Sequence, residues 1–210
     1  MIFEIFPELA YNVWLKGEYI VKNININDYR KPDYPIDDIF LKRWSPRSFS
    51  EQEVDEETLM SVLEASRWAP SASNKQPWRF IIARTEEDRK KFQSFIMDGN
   101  LAWCDKAPAY VLIISDTEVG GTHGFDTGTA WGYLALQAMQ KGLITHAMGG
   151  FYKDKAREVL NIPEQYAIHA VVAIGYQDEK EKLEEKFQER EQPSDRRPLT
   201  ETVMEGEFRG

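Results

Sequence analysis

The sequence has one cysteine, Cys104, and three histidines in 210 residues. A single thiol excludes an intramolecular disulfide framework and a thiolate zinc site, each of which needs several sulfurs. One unpaired cysteine also fits a reducing cytosol, so a cytoplasmic protein is expected. His123, His146 and His169 are scattered without the spacing of a metal pair. Long apolar runs are missing too. The most continuous, around Val111–Ile114, is far shorter than the ~20 residues that cross a bilayer. The first residues, Met1-Ile2-Phe3-Glu4, lack the basic start and cleavage site of a secretory signal. Positive charge is in deficit: 26 basic against 35 acidic residues leaves −9. A surface of that sign repels nucleic-acid phosphates and anionic lipid, so neither a nucleic acid nor a membrane is an expected partner.

What is present suits one globular body. Apolar residues make up 42% and charged residues 29%, ordinary for a globular protein and too apolar for a disordered one. The length suggests one domain of roughly 150 residues with arms. Residues 1–40 mix aromatics with Asn, Asp and Pro and show little sustained periodicity, which marks an N-terminal arm. Phe3, Phe6, Leu9, Val13 and Trp14 have the spacing of a short amphipathic helix. From residue 41 onward helix and strand patterns interleave, so 41–210 is expected to be the domain, tail included.

Asp55-Glu56-Glu57 opens a helix with acids where the helix dipole favours them, and Pro70 closes it. Trp78–Ala83, Tyr110–Ser115 and His169–Tyr176 are strand candidates. Residues 86–97 and 153–160 are helical in pattern. Residues 126–141 form a long helix ended by Gly142 at the C′ position. The charge run over 177–193 is expected as a solvated helix or linker. His169 opens an apolar strand and is taken as a hydrogen-bonded structural histidine. Interleaving of this kind gives an α/β or α+β core with helices on both sheet faces.

Side-chain catalysis finds little support. There is no G-x-S-x-G elbow, no phosphate loop of the G-x-x-x-x-G-K type and no G-x-G-x-x-G. Chemistry carried by a cofactor, or none, is what remains. Two segments stand out. In Arg43-Trp44-Ser45-Pro46-Arg47, two arginines four apart with a hydroxyl between them can bind a phosphate through charge-assisted forks. In Pro70-Ser71-Ala72-Ser73-Asn74-Lys75-Gln76-Pro77-Trp78, two carboxamides offer donors and acceptors that match the edge of a heterocycle. Each segment alone is also compatible with a surface turn.

Taken together they resemble the nitroreductase family of FMN-dependent oxidoreductases. The R-x-S-x-R start, one intervening amphipathic helix and the Pro-Ser-Ala-Ser-Asn-Lys-Gln-Pro-Trp loop carry the resemblance. It extends through His146-Ala147-Met148-Gly149-Gly150-Phe151, taken as a turn, to Arg196-Arg197-Pro198-Leu199. The sequence differs from many relatives at Trp44, Gly149 and Gly132.

The resemblance implies an α+β fold, a three-layer α/β/α sandwich with a mostly antiparallel central sheet and arms at both ends. It implies FMN as cofactor, NADH or NADPH as electron donor, and a homodimer. Arg43 and Ser45, beside Trp44, would hold the FMN phosphate, with Arg196 or Arg197 returning from the tail. Arg47 would reach the N1–C2=O side of the flavin ring and stabilise the charge of its reduced form. Pro70, Ser71, Ala72, Ser73, Asn74 and Gln76 would line the ring edge and ribityl chain, in part from the opposite subunit. Met148, Gly149 and Gly150 would flank the ring near N5, where a Cβ would obstruct. No protein side chain is expected to act as nucleophile. A ping-pong reaction passes electrons from NAD(P)H to a small acceptor, such as a nitroaromatic or a quinone. Reductive dehalogenation, flavin destruction and flavin binding without turnover stay open on the same scaffold. The short 98–106 segment offers little of the lid that dehalogenation needs. Trp103 and Trp131 are candidates for core packing first and pocket lining second.

Overall fold

A computed structural model describes residues 24–209. The amphipathic pattern at Phe3–Trp14 lies outside the described residues.

Four strands form one sheet in the order β1-β2-β4-β3, with every neighbouring pair antiparallel. They are β1 (Trp78–Ala83), β2 (Ala109–Asp116), β3 (Ile144–Met148) and β4 (Tyr166–Gly175). The helices are α1 (Asp38–Lys42), α2 (Glu56–Arg67), α3 (Glu86–Gln93), α4 (Asp98–Cys104), α5 (His123–Gln140), α6 (Lys153–Val159) and α7 (Glu185–Gln188). Side chains alternate across the strands. Val111, Ile113, Val172 and Ile174 face Leu59 and Val62 of α2 and Leu134 and Ala138 of α5. On the other face, Tyr110, Leu112, Val171 and Ala173 pack with Phe92 of α3, Trp103 and Cys104 of α4, and Ala156 of α6. Those two cores make a three-layer α/β/α sandwich around a wholly antiparallel sheet.

Local chemistry fixes the boundaries. Asp55 caps α2 by accepting the Thr58 N–H at 2.8 Å. Thr85 caps α3 through Asp88 N–H at 3.1 Å. The C-terminus of α5 closes in a Schellman arrangement: Leu143 N–H reaches Ala138 O and Gly142 N–H reaches Met139 O, both at 2.9 Å. Gly142 sits at φ +76°, the left-handed conformation that this closure requires.

Four sequence expectations need correction. The helix expected over 86–97 stops at Gln93, because Ile96 bridges to Phe151 beside β3. Residues 98–104, part of the 98–106 segment for which no element is expected and which reads as too short for a lid, form α4. Residues 146–148, expected as part of a turn, belong to β3, and the turn starts at Gly149. The charge run is not wholly solvated: Glu191 is only 4% exposed. His169 is hydrogen-bonded as expected, but β4 starts at Tyr166, so it lies within the strand and does not open it. A bulge in the β2–β4 register leaves it unpaired between the Ile113–Ala170 and Ile114–Ile168 partners. Its Nε2 lies 2.6 Å from Ser115 Oγ, which also lies 2.7 Å from His123 Nδ1. Among the described residues no helix is long and apolar enough to cross a membrane, and no acidic, cysteine or histidine group could hold a metal.

Candidate functional site

The segment joining α1 to the body runs along β3, the edge strand, where His146 Nδ1–H donates to Pro46 O at 2.9 Å. It forms one wall of a cavity of about 320 Å³. Among the described residues five arginines line that cavity, Arg30, Arg43, Arg47, Arg190 and Arg196, together with Ser45, and no carboxylate does. Arg43 Nη1 donates to Ser45 Oγ at 3.3 Å. Burial, with Arg196 nearby, pushes the Arg43 guanidinium below its usual value. Burial, with Arg196 and Arg43, brings Arg30 down to about 10. Both remain cationic at neutral pH, and the cavity concentrates guanidinium groups inside a protein of net charge −9. Mutual repulsion of that kind is relieved by an anion with several acceptor oxygens.

Two devices hold the cavity together. Arg30 is 5% exposed and donates to Ser194 O at 2.8 Å and Arg43 O at 2.7 Å, tying arm, cradle and tail. Glu191 reaches in from the charge run, accepting Arg47 N–H at 2.8 Å and Ser48 N–H at 3.0 Å. Burial raises its pKa. Trp44 is buried beside the cavity, and its Nε1–H has no acceptor among the described residues. Trp103 packs in the core, with Phe49 at 6.4 Å, His146 at 4.4 Å and the Arg47 guanidinium 5.9 Å from its ring. Desolvation, with Arg47 and Arg43 nearby, lowers His146 to about 4, so it is neutral at pH 7.

Of the tail pair, Arg196 lines this cavity, whereas Arg197 lines an adjoining cleft between arm and tail. Met148 is buried at the end of β3. Beyond it a Cβ on Gly149 would meet nothing within 4 Å among the described residues, so they leave space over this backbone.

The second segment lies at the other edge of the sheet. It enters β1, and three of its non-glycine residues have left-handed backbones: Ser73 (φ 50°), Asn74 (φ 55°) and Gln76 (φ 48°). Such conformations cost roughly 1–3 kcal/mol each and persist only when neighbours impose them. Here Gln76 N–H donates to Ser71 Oγ at 3.0 Å, and Gln76 Nε2 donates to Asn74 O at 3.0 Å. Ala72 N–H donates to Asp126 Oδ2 at 3.2 Å, which anchors the loop to α5. Ala72, Ser73, Asn74 and Gln76 are nonetheless exposed, while Pro70 leads in from α2 and Ser71 is half-buried.

The arginine cradle and the carboxamide loop therefore stand at opposite edges, β3 and β1, of a four-stranded sheet. Three strand spacings separate those edges, about 14 Å. One chain brings Arg43, Ser45, Arg47 and Arg196 together, with the glycine turn along the same edge. It does not bring the loop to them.

With that geometry, the sequence matches the nitroreductase family over residues 41–176, more than half of its length. The chain belongs to the nitroreductase family. It is 28% identical over 201 residues to the NADH dehydrogenase of Thermus thermophilus, covering 78% of this chain and 92% of that protein. A crystal structure of an oxidoreductase containing FMN matches with TM-score 0.83 and 42% identity, over 86% of this chain and 96% of that one. An iodotyrosine deiodinase bound to FMN and 3-iodo-L-tyrosine matches with TM-score 0.62 at 22% identity, over 81% and 98% of the two chains. The last shares the nitroreductase fold alone.

Three residues that build or brace this cavity, Arg30, Arg190 and Glu191, were not legible as such in the sequence. Arg30 is one basic residue in an Asn- and Asp-rich stretch. Arg190 and Glu191 sit in a run where charge carries no positional signal.

Proposed function

We propose that the protein is an FMN-dependent NAD(P)H oxidoreductase acting as a homodimer in the cytoplasm. The observation that carries this reading is the cavity lined, among the described residues, by five arginines and no carboxylate, set at the sheet edge of a nitroreductase fold. The residues present fit FMN. Arg43, Arg196 and Ser45 suit a dianionic phosphate ester, with Trp44 Nε1–H a further donor unused among the described residues. Open space over Gly149 suits a flat ring that must be approached closely. When bound, FMN supplies the redox chemistry, taking electrons from NAD(P)H and passing them in a ping-pong sequence to a nitroaromatic, a quinone or a similar acceptor.

The chain's own groups bind and orient. Arg47 is a fixed cation beside the cradle, placed to stabilise negative charge on a ring that has gained electrons. Ser73, Asn74 and Gln76 are exposed, with Ser71 half-buried beside them, on a strained loop shaped by its own hydrogen bonds rather than by a ligand. A second copy of the chain supplies that loop to the cradle across the interface. The outward face of α5 supports the pairing. Phe125 is 81% exposed and Tyr133 41%, and between them Gly128 and Gly132 leave open space where a partner helix can approach.

The test is the visible spectrum of the purified protein, with the released cofactor identified by mass, followed by steady-state NAD(P)H oxidation with a quinone. About one FMN per chain and acceptor-dependent turnover are expected. A colourless protein that cannot be reconstituted overturns the cofactor, and bound FMN without turnover overturns the enzyme.

A further inference from the structure

The glycine turn after β3 is held from outside its own strand. Gly150 O accepts two hydrogen bonds from the segment around α4, one from Met97 N–H at 3.1 Å and one from Asn100 Nδ2 at 3.0 Å. Gly149 O accepts Phe151 N–H at 3.1 Å. Both carbonyls of the pair are thereby committed to protein donors. Among the described residues, neither the Gly149 N–H nor the Gly150 N–H meets an acceptor. Space is divided in the same sense. A Cβ on Gly150 would fall 2.5 Å from Asn100 Nδ2, whereas one on Gly149 would meet nothing within 4 Å. The turn is closed on the side of Asn100 and open on the other, with two donors unused.

Two consecutive glycines form the least restrained backbone a chain can have, since neither carries a Cβ to narrow φ and ψ. A donor pair built on them is aimed only if something else fixes it. We propose that Asn100 is the positioning residue for this turn. Its amide holds Gly150 O and fills the space a side chain at 150 would take, which keeps the two free N–H groups presented to the acceptor edge of a ring bound over Gly149. This inference rests on the flavin reading of the site and gives α4 a role in it.

The experiment compares wild-type holoprotein with Asn100→Ala, Asn100→Asp and the double variant Asn100→Ala/Gly150→Ala, reading the FMN dissociation constant and the midpoint potential of bound FMN. Donors aimed at the ring favour its electron-rich form, so loosening them lowers the potential. Asn100→Ala is expected to lose about tenfold in relative affinity for reduced over oxidised FMN, equivalent to about 30 mV for a two-electron couple. Asn100→Asp, which sets a carboxylate against Gly150 O, is expected to lose more. The double variant has room for the alanine Cβ, which stiffens the turn, and is expected to recover part of the potential. A simple packing defect would lower thermal stability without that recovery. Potentials unchanged in both single variants overturn the role of Asn100 and leave the flavin reading standing. Wild-type protein that takes up no FMN overturns both.

Discussion

The two edges of the sheet are built in opposite ways. At the β3 edge, the cavity draws its cations from residues 30, 43, 47, 190 and 196, and its integrity depends on bonds such as Arg30 to Ser194, 164 residues apart. At the β1 edge, the carboxamide loop is shaped largely by its own neighbours: Ser71 to Gln76, Gln76 to Asn74, Gln76 to Arg79. One edge stores electrostatic repulsion and the other stores backbone strain. Each is prepared without a ligand, and in the proposed reading each is half of a site. A dimer is the simplest way to put two such halves in register, because every interface then completes two sites.

The largest effect expected from breaking that pairing comes from α5. Gly128→Glu sets a carboxylate on its outward face, where a Cβ meets nothing within 4 Å and helix propensity improves. The variant is expected to fold, to sediment as a monomer and to lose FMN affinity by at least about 100-fold, the interface having been removed. A monomeric variant that keeps one FMN per chain would show that one edge suffices.

Next is the cradle itself. Arg43→Ala is expected to cost roughly 1.5–3 kcal/mol of FMN binding, the value of a hydrogen bond to a charged group. That corresponds to about 10- to 150-fold in Kd by fluorescence titration. An unchanged Kd would remove the phosphate assignment from the β3 edge.

A pH experiment isolates the same edge without a ligand. His146 titrates near 6.5 in the unfolded chain but only at about 4 when folded, desolvation being the main cause. The unfolded state therefore binds the extra proton between those values. The stability contributed by the neutral imidazole is present above pH 6.5 and lost as pH falls toward 4, on the order of 3 kcal/mol in all. His146→Asn should flatten the decline of Tm over that window. Parallel curves for the two proteins would place the acid sensitivity elsewhere.

The smallest effect belongs to the loop. Ser73→Gly relieves a left-handed serine at φ 50°, a gain partly offset by the greater freedom of glycine in the unfolded chain. A net stabilisation of about 0.5 kcal/mol is expected, or about 2 °C in Tm at this chain length, with FMN affinity a few-fold weaker for the lost hydroxyl. A lower Tm would mean the loop is not strained at that residue.

The same contrast explains what the sequence could reveal. Helix α2, the end of α5 at Gly142 and the cores of β1, β2 and β4 follow from caps, periodicity and apolar runs, all local signals. Strand β3 was hidden because Ile144–Met148 contains Thr145 and His146, and its pairing with β4 is a long-range fact. Helix α4 was hidden because Asp98-Gly99-Asn100 resembles a turn, and the amphipathic pattern after it is only one turn long. The loop at 70–76 and Arg43, Ser45 and Arg47 were visible as compact motifs. Arg196 came only through resemblance. Arg30, Arg190 and Glu191 were not visible, because their meaning lies in which distant carbonyl or N–H they reach. That the two motifs stand at opposite edges could not be inferred from their spacing of some twenty residues.

The clasp made by Arg30 also constrains the order of events during synthesis. The cradle includes Arg196, and Arg30 is secured partly by the carbonyl of Ser194. A nascent chain that has exposed α2, the carboxamide loop and most of the sheet still lacks the groups that close around the anion. If the cavity receives the cofactor as proposed, loading becomes a late event, after translation has passed the tail, and a polypeptide truncated before residue 194 would have no finished place to receive it.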